Sequence, residues 1–161
     1  MNQIRGLGLV ACGTSLALAL VTAHLQAQTH KHEPAGAAVH KPQLNQGKKW
    51  ATDEPLRKGM NEIRSLIIAN DEAIHNGKLA RDAYASLGSK VEEQVAYMVA
   101  NCKLETKADE NLHLVLADII LGADAMKGNE KKLSPRAGAG KIAAALNTYG
   151  RYFDHPGWKK L

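Results

Sequence analysis

The chain contains little cysteine, few aromatic residues and, beyond its first segment, no long apolar run. Of its 161 residues, two are cysteine and 4% are aromatic. So few cysteines exclude a disulfide-rich scaffold, and the missing Cys-x-x-Cys-His pattern excludes covalent c-type haem. The Gly-x-Ser-x-Gly, His-Glu-x-x-His and P-loop patterns are also absent. The sequence therefore predicts a protein that is not an enzyme.

The charge is mildly positive and evenly distributed. The chain has 21 Lys and Arg against 16 Asp and Glu, with a formal net charge of +5. Acidic residues lie between the basic ones in every segment, a pattern typical of solvated helix faces and not of a nucleic-acid patch. We expect no nucleic-acid partner.

The first 27 residues have the pattern of a secretory signal peptide. One positive charge at Arg5 is followed by an apolar run from Leu7 to Ala23 and by small residues ending at Ala27. This predicts export to the periplasm and, after cleavage, no membrane segment. A lipobox-like run ending at Cys12 leaves lipid anchoring as an alternative. Cleavage after Ala27 would leave Cys102 as the only thiol, so no internal disulfide could form.

Residues 28–50 form the second predicted segment. They include Pro, Gly, Ala and three histidines, His30, His32 and His40, with no apolar periodicity. The composition favours a flexible tail. Its histidines are candidate ligands for Cu(II) or Zn(II), and a soluble spacer is the equal alternative.

Residues 51–158 carry four amphipathic helical patterns. The first is expected to begin at Thr52 or Asp53 and to stop at Asn76-Gly77, and the second to run from Arg81 to Cys102. Apolar residues recur at spacings of three, four and seven on each of them: Leu56, Met60, Ile63, Ile67 and Ile74, then Leu87, Val91, Val95, Met98 and Cys102.

The other two helices have equally clear boundaries. Thr106 and Asp109 resemble a capping box for the third helix, which Gly128 ends. Ser134-Pro135 starts the fourth, and His155-Pro156 is expected to end it. No stretch alternates with period two. The predicted fold is therefore all-α, an antiparallel up-down-up-down four-helix bundle preceded by a signal peptide and a tail.

This topology predicts a site at one end of the bundle. Helix one starts, helix two ends, helix three starts and helix four ends there, which collects a set of sulfur and imidazole side chains: Met60, Met98, Cys102, His113 and His155. Thioether, thiolate and imidazole are the ligands that Cu(I) prefers. The candidate metal ligands are Met60, Met98, Cys102 and His113, with the tail histidines as auxiliary ligands. The simpler alternative is that the sulfur residues only pack in the core.

Several segments resemble a known family. The runs Lys49-Trp50-Ala51-Thr52-Asp53-Glu54-Pro55-Leu56-Arg57-Lys58-Gly59-Met60, Asn101-Cys102-Lys103-Leu104 and Ala108-Asp109 with Leu112-His113 look like exported proteobacterial proteins sometimes labelled DnrO. The resemblance covers most of the chain after the signal peptide and implies an exported four-helix protein. It brings no established chemistry.

A more distant resemblance is to the soluble periplasmic four-helix cytochrome b. That family holds non-covalent haem b between a methionine early in helix one and a histidine late in helix four. Met60 matches the first position, whereas Tyr149 and Tyr152 stand where the histidine belongs and His155 follows the helix. Three hypotheses stay open: copper binding with a periplasmic redox or metal-handling partner, haem b electron transfer through Met60 and His155, and a ligand-free structural bundle.

Overall fold

The computed structural model describes residues 41–161, which form four α-helices and no strand. Helix α1 spans Glu54–His75, α2 Arg81–Asn101, α3 Thr106–Lys127 and α4 Pro135–Tyr152. The prediction of an all-α four-helix bundle is confirmed for this part of the chain. The predicted signal peptide and the histidines His30, His32 and His40 lie outside the described residues.

Local signals in the sequence set most of the helix boundaries. The Asp53 carboxylate accepts from the Leu56 amide and caps α1, and the Ser134 hydroxyl accepts from the Ala137 amide and caps α4. Gly128 ends α3 with a φ of 83°, a left-handed conformation that glycine adopts without steric cost. These three boundaries agree with the sequence.

Two helix boundaries differ from the prediction. The residue that caps α3 is Glu105 and not Thr106, because the Glu105 carboxylate accepts from the Lys107 amide. Helix α4 ends at Tyr152, three residues before His155, and Phe153 is already extended. Neighbouring Asp154 instead donates its amide to the Trp50 carbonyl. The chain leaves the helix because its backbone finds partners on the segment before α1.

That segment is packed against the bundle. Trp50 is 6% exposed, and its amide donates to the Tyr152 carbonyl while its indole N–H donates to the Gln43 carbonyl. The Gln43 amide also donates to the Asn111 side chain on α3. The predicted flexible tail reached residue 50, but its described part, 41–50, is tied to α3 and α4. The large apolar surface of Trp50 is the physical reason, since one buried indole can hold a short segment in place.

The core lies between the four helices and contains the predicted apolar residues of α1 and α2 except Cys102, which is only partly buried. Consecutive helices contact each other, and α4 also contacts α1 and α2. Helices α3 and α4 approach closely at Gly122 and Gly138, where a Cβ on Gly122 would lie 2.7 Å from the Gly138 carbonyl oxygen. Within residues 41–161, no helix has the length and apolar character needed to cross a membrane.

Candidate metal-binding site

A pocket of about 340 Å³ lies where α2 ends and α3 begins. Its lining includes one thioether, one thiol, one imidazole and one carboxylate, from Met98, Cys102, His113 and Asp109. Three of the predicted ligands therefore share one pocket. They come from two consecutive helices and from the residue that ends the first of them.

Met98 supplies the buried side of this pocket. It lies one turn before the end of α2 and has no exposed surface. Its side chain occupies the space beside Gly59 of α1: a Cβ on Gly59 would lie 2.7 Å from the Met98 sulfur. The missing side chain at position 59 therefore leaves room for the thioether. Gly59 sets the position of the sulfur from the neighbouring helix.

Cys102 is the C-cap residue of α2. Its amide donates to the Met98 carbonyl at 2.9 Å, and its extended backbone turns the chain toward α3. The thiol is partly buried. Burial raises the pKa of Cys102 to about 12, and the negative charge of the nearby Asp53 carboxylate contributes. The free thiol therefore keeps its proton at neutral pH and is a poor nucleophile.

Asp53 connects the start of α1 to this pocket. One carboxylate oxygen caps α1, and the other accepts from the Lys103 amide at 2.6 Å. Sequence reasoning identified Asp53 as a cap but not as the neighbour of Cys102. No short-range signal could have shown this contact, because the two residues cap different helices and are far apart along the chain.

His113 occupies the exposed rim of the pocket, with 62% of its side chain accessible. Its Nδ1 lies 2.9 Å from the Asp109 carbonyl oxygen and 3.4 Å from an Asp109 carboxylate oxygen. An Nδ1–H that donates to Asp109 leaves the lone pair on Nε2. Metal-binding histidines are commonly oriented by a hydrogen bond of this kind to a carbonyl or carboxylate.

Met60 and His155 do not line this pocket. Met60 is fully buried in the core. His155 is 8% exposed, and its Nδ1 lies 2.9 Å from the Tyr149 hydroxyl. The Trp158 ring packs beside both of these side chains, with centroid distances of 4.9 Å to His155 and 4.8 Å to Tyr149.

This aromatic cluster keeps its ionisable groups neutral. Burial lowers the pKa of His155, and the positive charge of Arg57 lowers it further. Burial also raises the pKa of Tyr149. The arrangement closes the C-terminal segment over the bundle, since the indole ring lies against Gly150, where any Cβ would collide with it.

No three His, Cys, Asp or Glu side chains within residues 41–161 are grouped so that they could hold a metal ion. Within the pocket, the Met98 thioether is a further candidate ligand beside Cys102 and His113. Thioethers bind soft ions, whereas hard ions such as Mg²⁺ and Ca²⁺ prefer oxygen.

Comparison with known proteins gives no relative to support or refute the resemblances drawn from the sequence. No protein-family model, no curated protein and no solved structure matches this chain.

Proposed function

We propose that this chain is an exported, non-enzymatic protein that binds Cu(I) through Met98, Cys102 and His113. The observation that carries the proposal is that these three side chains line a single pocket. Thioether, thiolate and imidazole together match the preference of Cu(I), which accepts low coordination numbers and soft ligands. The graded exposure of the three residues, from buried Met98 to exposed His113, gives an ion a path into the site.

The electrostatics of the pocket support a cation that displaces a proton. The Asp53 and Asp109 carboxylates near Cys102 help to keep its thiol protonated. A monovalent metal that replaces this proton meets the same two carboxylates, which then favour binding. Because the thiol must lose its proton, the apparent affinity for Cu(I) should rise with pH through the neutral range.

The remaining parts of the proposal follow from the sequence. The first 27 residues direct export to the periplasm, and the helices take the up-down-up-down order that brings the ligands to one end. His30, His32 and His40 act as auxiliary ligands on the tail. The physiological partner is a periplasmic redox or metal-handling protein that delivers or receives the ion.

The experiment is a competition for Cu(I) between the purified protein and a chromophoric Cu(I) chelator. Three variants test the ligands: Met98→Leu, Cys102→Ser and His113→Asn. Two of them have a matched control outside the pocket, namely Met126→Leu for the thioether and His75→Asn for the imidazole. We expect Cys102→Ser to lower the affinity by roughly a hundredfold or more, because a neutral hydroxyl is a hard ligand. Both control variants should bind Cu(I) as the parent protein does.

Stability measurements separate a ligand from a packing residue. If Cys102 only packs, Cys102→Ser should leave Cu(I) affinity unchanged and cost about 1 to 3 kcal/mol of unfolding free energy in the metal-free protein, through burial of a hydroxyl without a partner. Unchanged affinity in all three variants contradicts the proposal. Absence of stoichiometric Cu(I) binding would favour the ligand-free bundle, whereas an intense Soret band on addition of haem would favour the haem alternative.

A further inference from the structure

A second pocket, which the copper proposal does not use, lies at the end of the bundle where α2 and α4 begin. It has a volume of about 510 Å³. Its lining comes from the ends of α1 and α3 and the starts of α2 and α4, and includes Gly77, Arg81, Tyr84, Gly128 and Arg136. Ligand pockets for small organic molecules typically range from about 300 to 1,000 Å³. The size of the pocket suits such a molecule.

Two guanidinium groups stand at this pocket. Arg81 is the first residue of α2, and its Nη2 lies 3.4 Å from where a Cβ on Gly128 would be. Arg136 is in the first turn of α4 and donates from Nη2 to the His75 carbonyl at 2.6 Å, which fixes the direction of its guanidinium. Within residues 41–161 neither arginine has a carboxylate within 4 Å. Both retain N–H groups for an anion.

The start of α2 adds backbone donors beside these arginines. Its N-cap residue is Ala80, whose side chain cannot accept a hydrogen bond. The first-turn amides of α2 therefore lack the side-chain acceptor that Asp53 and Ser134 provide for α1 and α4. Uncapped amides at a helix start favour an anion, because they point outward and carry the positive end of the helix dipole.

Tyr84 provides the independent evidence for a ligand. It is 6% exposed and lines the pocket, and within the described part of the chain its buried hydroxyl has no hydrogen-bond partner. Tyr84 is the fourth residue of α2, so its side chain leans toward the helix start, where the pocket lies. A buried hydroxyl without a partner lowers the stability of the fold, and such groups are uncommon. A ligand that brings an acceptor atom to this hydroxyl can supply the missing partner.

The rest of the lining determines what kind of anion fits. Leu79, Leu133 and Pro135 form apolar walls. The acidic residue in the lining is Glu130, whose carboxylate accepts a hydrogen bond from the Lys132 amide. Two arginines against one glutamate leave a net positive charge. We propose that this pocket binds a small organic carboxylate: the anionic head accepts from Arg81, Arg136, the α2 amides and the Tyr84 hydroxyl, and the apolar body lies against Leu79, Leu133 and Pro135.

The test uses 4-phenylbutyrate as the probe and its neutral amide as the matched ligand control, with the full chain. We expect 4-phenylbutyrate to bind with a Kd below about 1 mM and its neutral amide to bind at least about tenfold more weakly. In ¹H–¹⁵N spectra, the backbone signals that shift on addition of the acid should centre on Arg81, Tyr84 and Gly128. Arg81→Gln should weaken binding of the acid by about tenfold, because it removes a charged donor. Arg151→Gln, an exposed arginine on α4 that does not line this pocket, should change nothing.

Tyr84→Phe separates a binding role from a structural one. Removal of the unpartnered hydroxyl should leave the melting temperature of the ligand-free protein unchanged or higher, while affinity for the acid falls severalfold. The proposal is overturned if the acid and the amide bind equally, if neither binds below about 1 mM, or if Arg81→Gln binds like the parent protein. It is also overturned if Tyr84→Phe lowers the melting temperature and leaves the affinity intact. None of these results depends on copper, because Met98, Cys102 and His113 lie outside this pocket.

Discussion

The helix ends around Trp50 and those around Arg81 differ in how many of their polar groups have hydrogen-bond partners. Around Trp50, Asp53, Tyr149 and His155, here called the Trp50 end, side chains and backbone form a network of hydrogen bonds between distant segments. Around Arg81, Tyr84 and Arg136, here called the Arg81 end, one helix start has no side-chain cap and one buried hydroxyl has no partner among residues 41–161. The Trp158 indole N–H is the exception at the Trp50 end, since it is also buried without a partner in the described part of the chain.

The difference indicates which group stabilises the fold and which is free to bind. A satisfied network contributes stability but leaves few donors for a ligand, whereas unsatisfied donors lower stability until something binds. The copper proposal concerns a pocket beside the network, and the carboxylate proposal concerns the unsatisfied end. Mutations at the Trp50 end should therefore affect stability most.

The largest effect is expected from Trp50→Ala. Trp50 is almost fully buried and joins the 41–50 segment to α4. Its removal should lower the free energy of unfolding by about 3–5 kcal/mol, as for other buried large aromatic residues, measured by urea unfolding. Leu44→Ala is the control, since Leu44 is 43% exposed in the same segment. Equal and small effects of both variants would mean that the segment does not hold the bundle together.

A smaller loss is expected from Asp53→Ala, which removes the acceptor for both the Leu56 and the Lys103 amides. Loss of a helix cap and of a second charge-assisted hydrogen bond should cost about 2 kcal/mol. Glu105→Ala removes the exposed cap of α3, whose hydrogen bond is 3.3 Å long, and should cost less than about 1 kcal/mol. Equal losses of unfolding free energy in Asp53→Ala and Glu105→Ala, measured by denaturant unfolding, would contradict this expected difference.

A gain is expected where the Arg81 end lacks a cap. Ala80 already has the extended backbone of an N-cap residue, with φ −66° and ψ 154°. Ala80→Ser should therefore stabilise the protein by about 0.5–1 kcal/mol by accepting a first-turn amide. Ala83→Ser, inside the first turn, should give no such gain. Thermal unfolding of both variants would show the contrast, and a loss in Ala80→Ser would argue that the α2 start is satisfied in another way.

The smallest expected effect is a dependence of stability on pH. The folded pKa of His155 is lowered by burial and by Arg57 from its ordinary value of 6.5, so the unfolded chain binds this proton more tightly. The contribution of His155 is then fully present above about pH 6.5 and is lost as the pH falls toward the folded pKa. Urea unfolding between pH 5 and about pH 7.5 should show a weaker pH dependence in His155→Asn than in His75→Asn. If both variants show the same dependence of unfolding free energy on pH, His155 is not the group that causes it.

Much of the helical structure could be predicted because its signals are local. Asp53, Gly128 and Ser134-Pro135 act on the residues beside them, so they set helix boundaries whatever the rest of the chain does. The end of α4 could not be predicted in this way. The amide of Asp154 bonds to the carbonyl of Trp50, and a contact over such a distance along the chain has no periodic signal.

The candidate site was predictable in part for a related reason. Spacing along helices places Met98, Cys102 and His113 near one end of the bundle, and they do line one pocket. The same reasoning placed Met60 and His155 near them. It could not show that Met60 is enclosed in the core and that His155 faces Tyr149, because proximity to one end does not fix the direction of a side chain.

The sequence by itself determined the four helices, their apolar faces and the kinds of ligand available, because capping, periodicity and side-chain chemistry are properties of residues close together in the chain. Only the tertiary structure decided which functional side chains lie next to each other. The Asp53 carboxylate beside the Cys102 thiol, the Trp50 indole against α4 and the two arginines around one pocket all depend on how the helices pack. Packing brings together residues that are distant in sequence, and burial there changes their pKa values and hydrogen bonding.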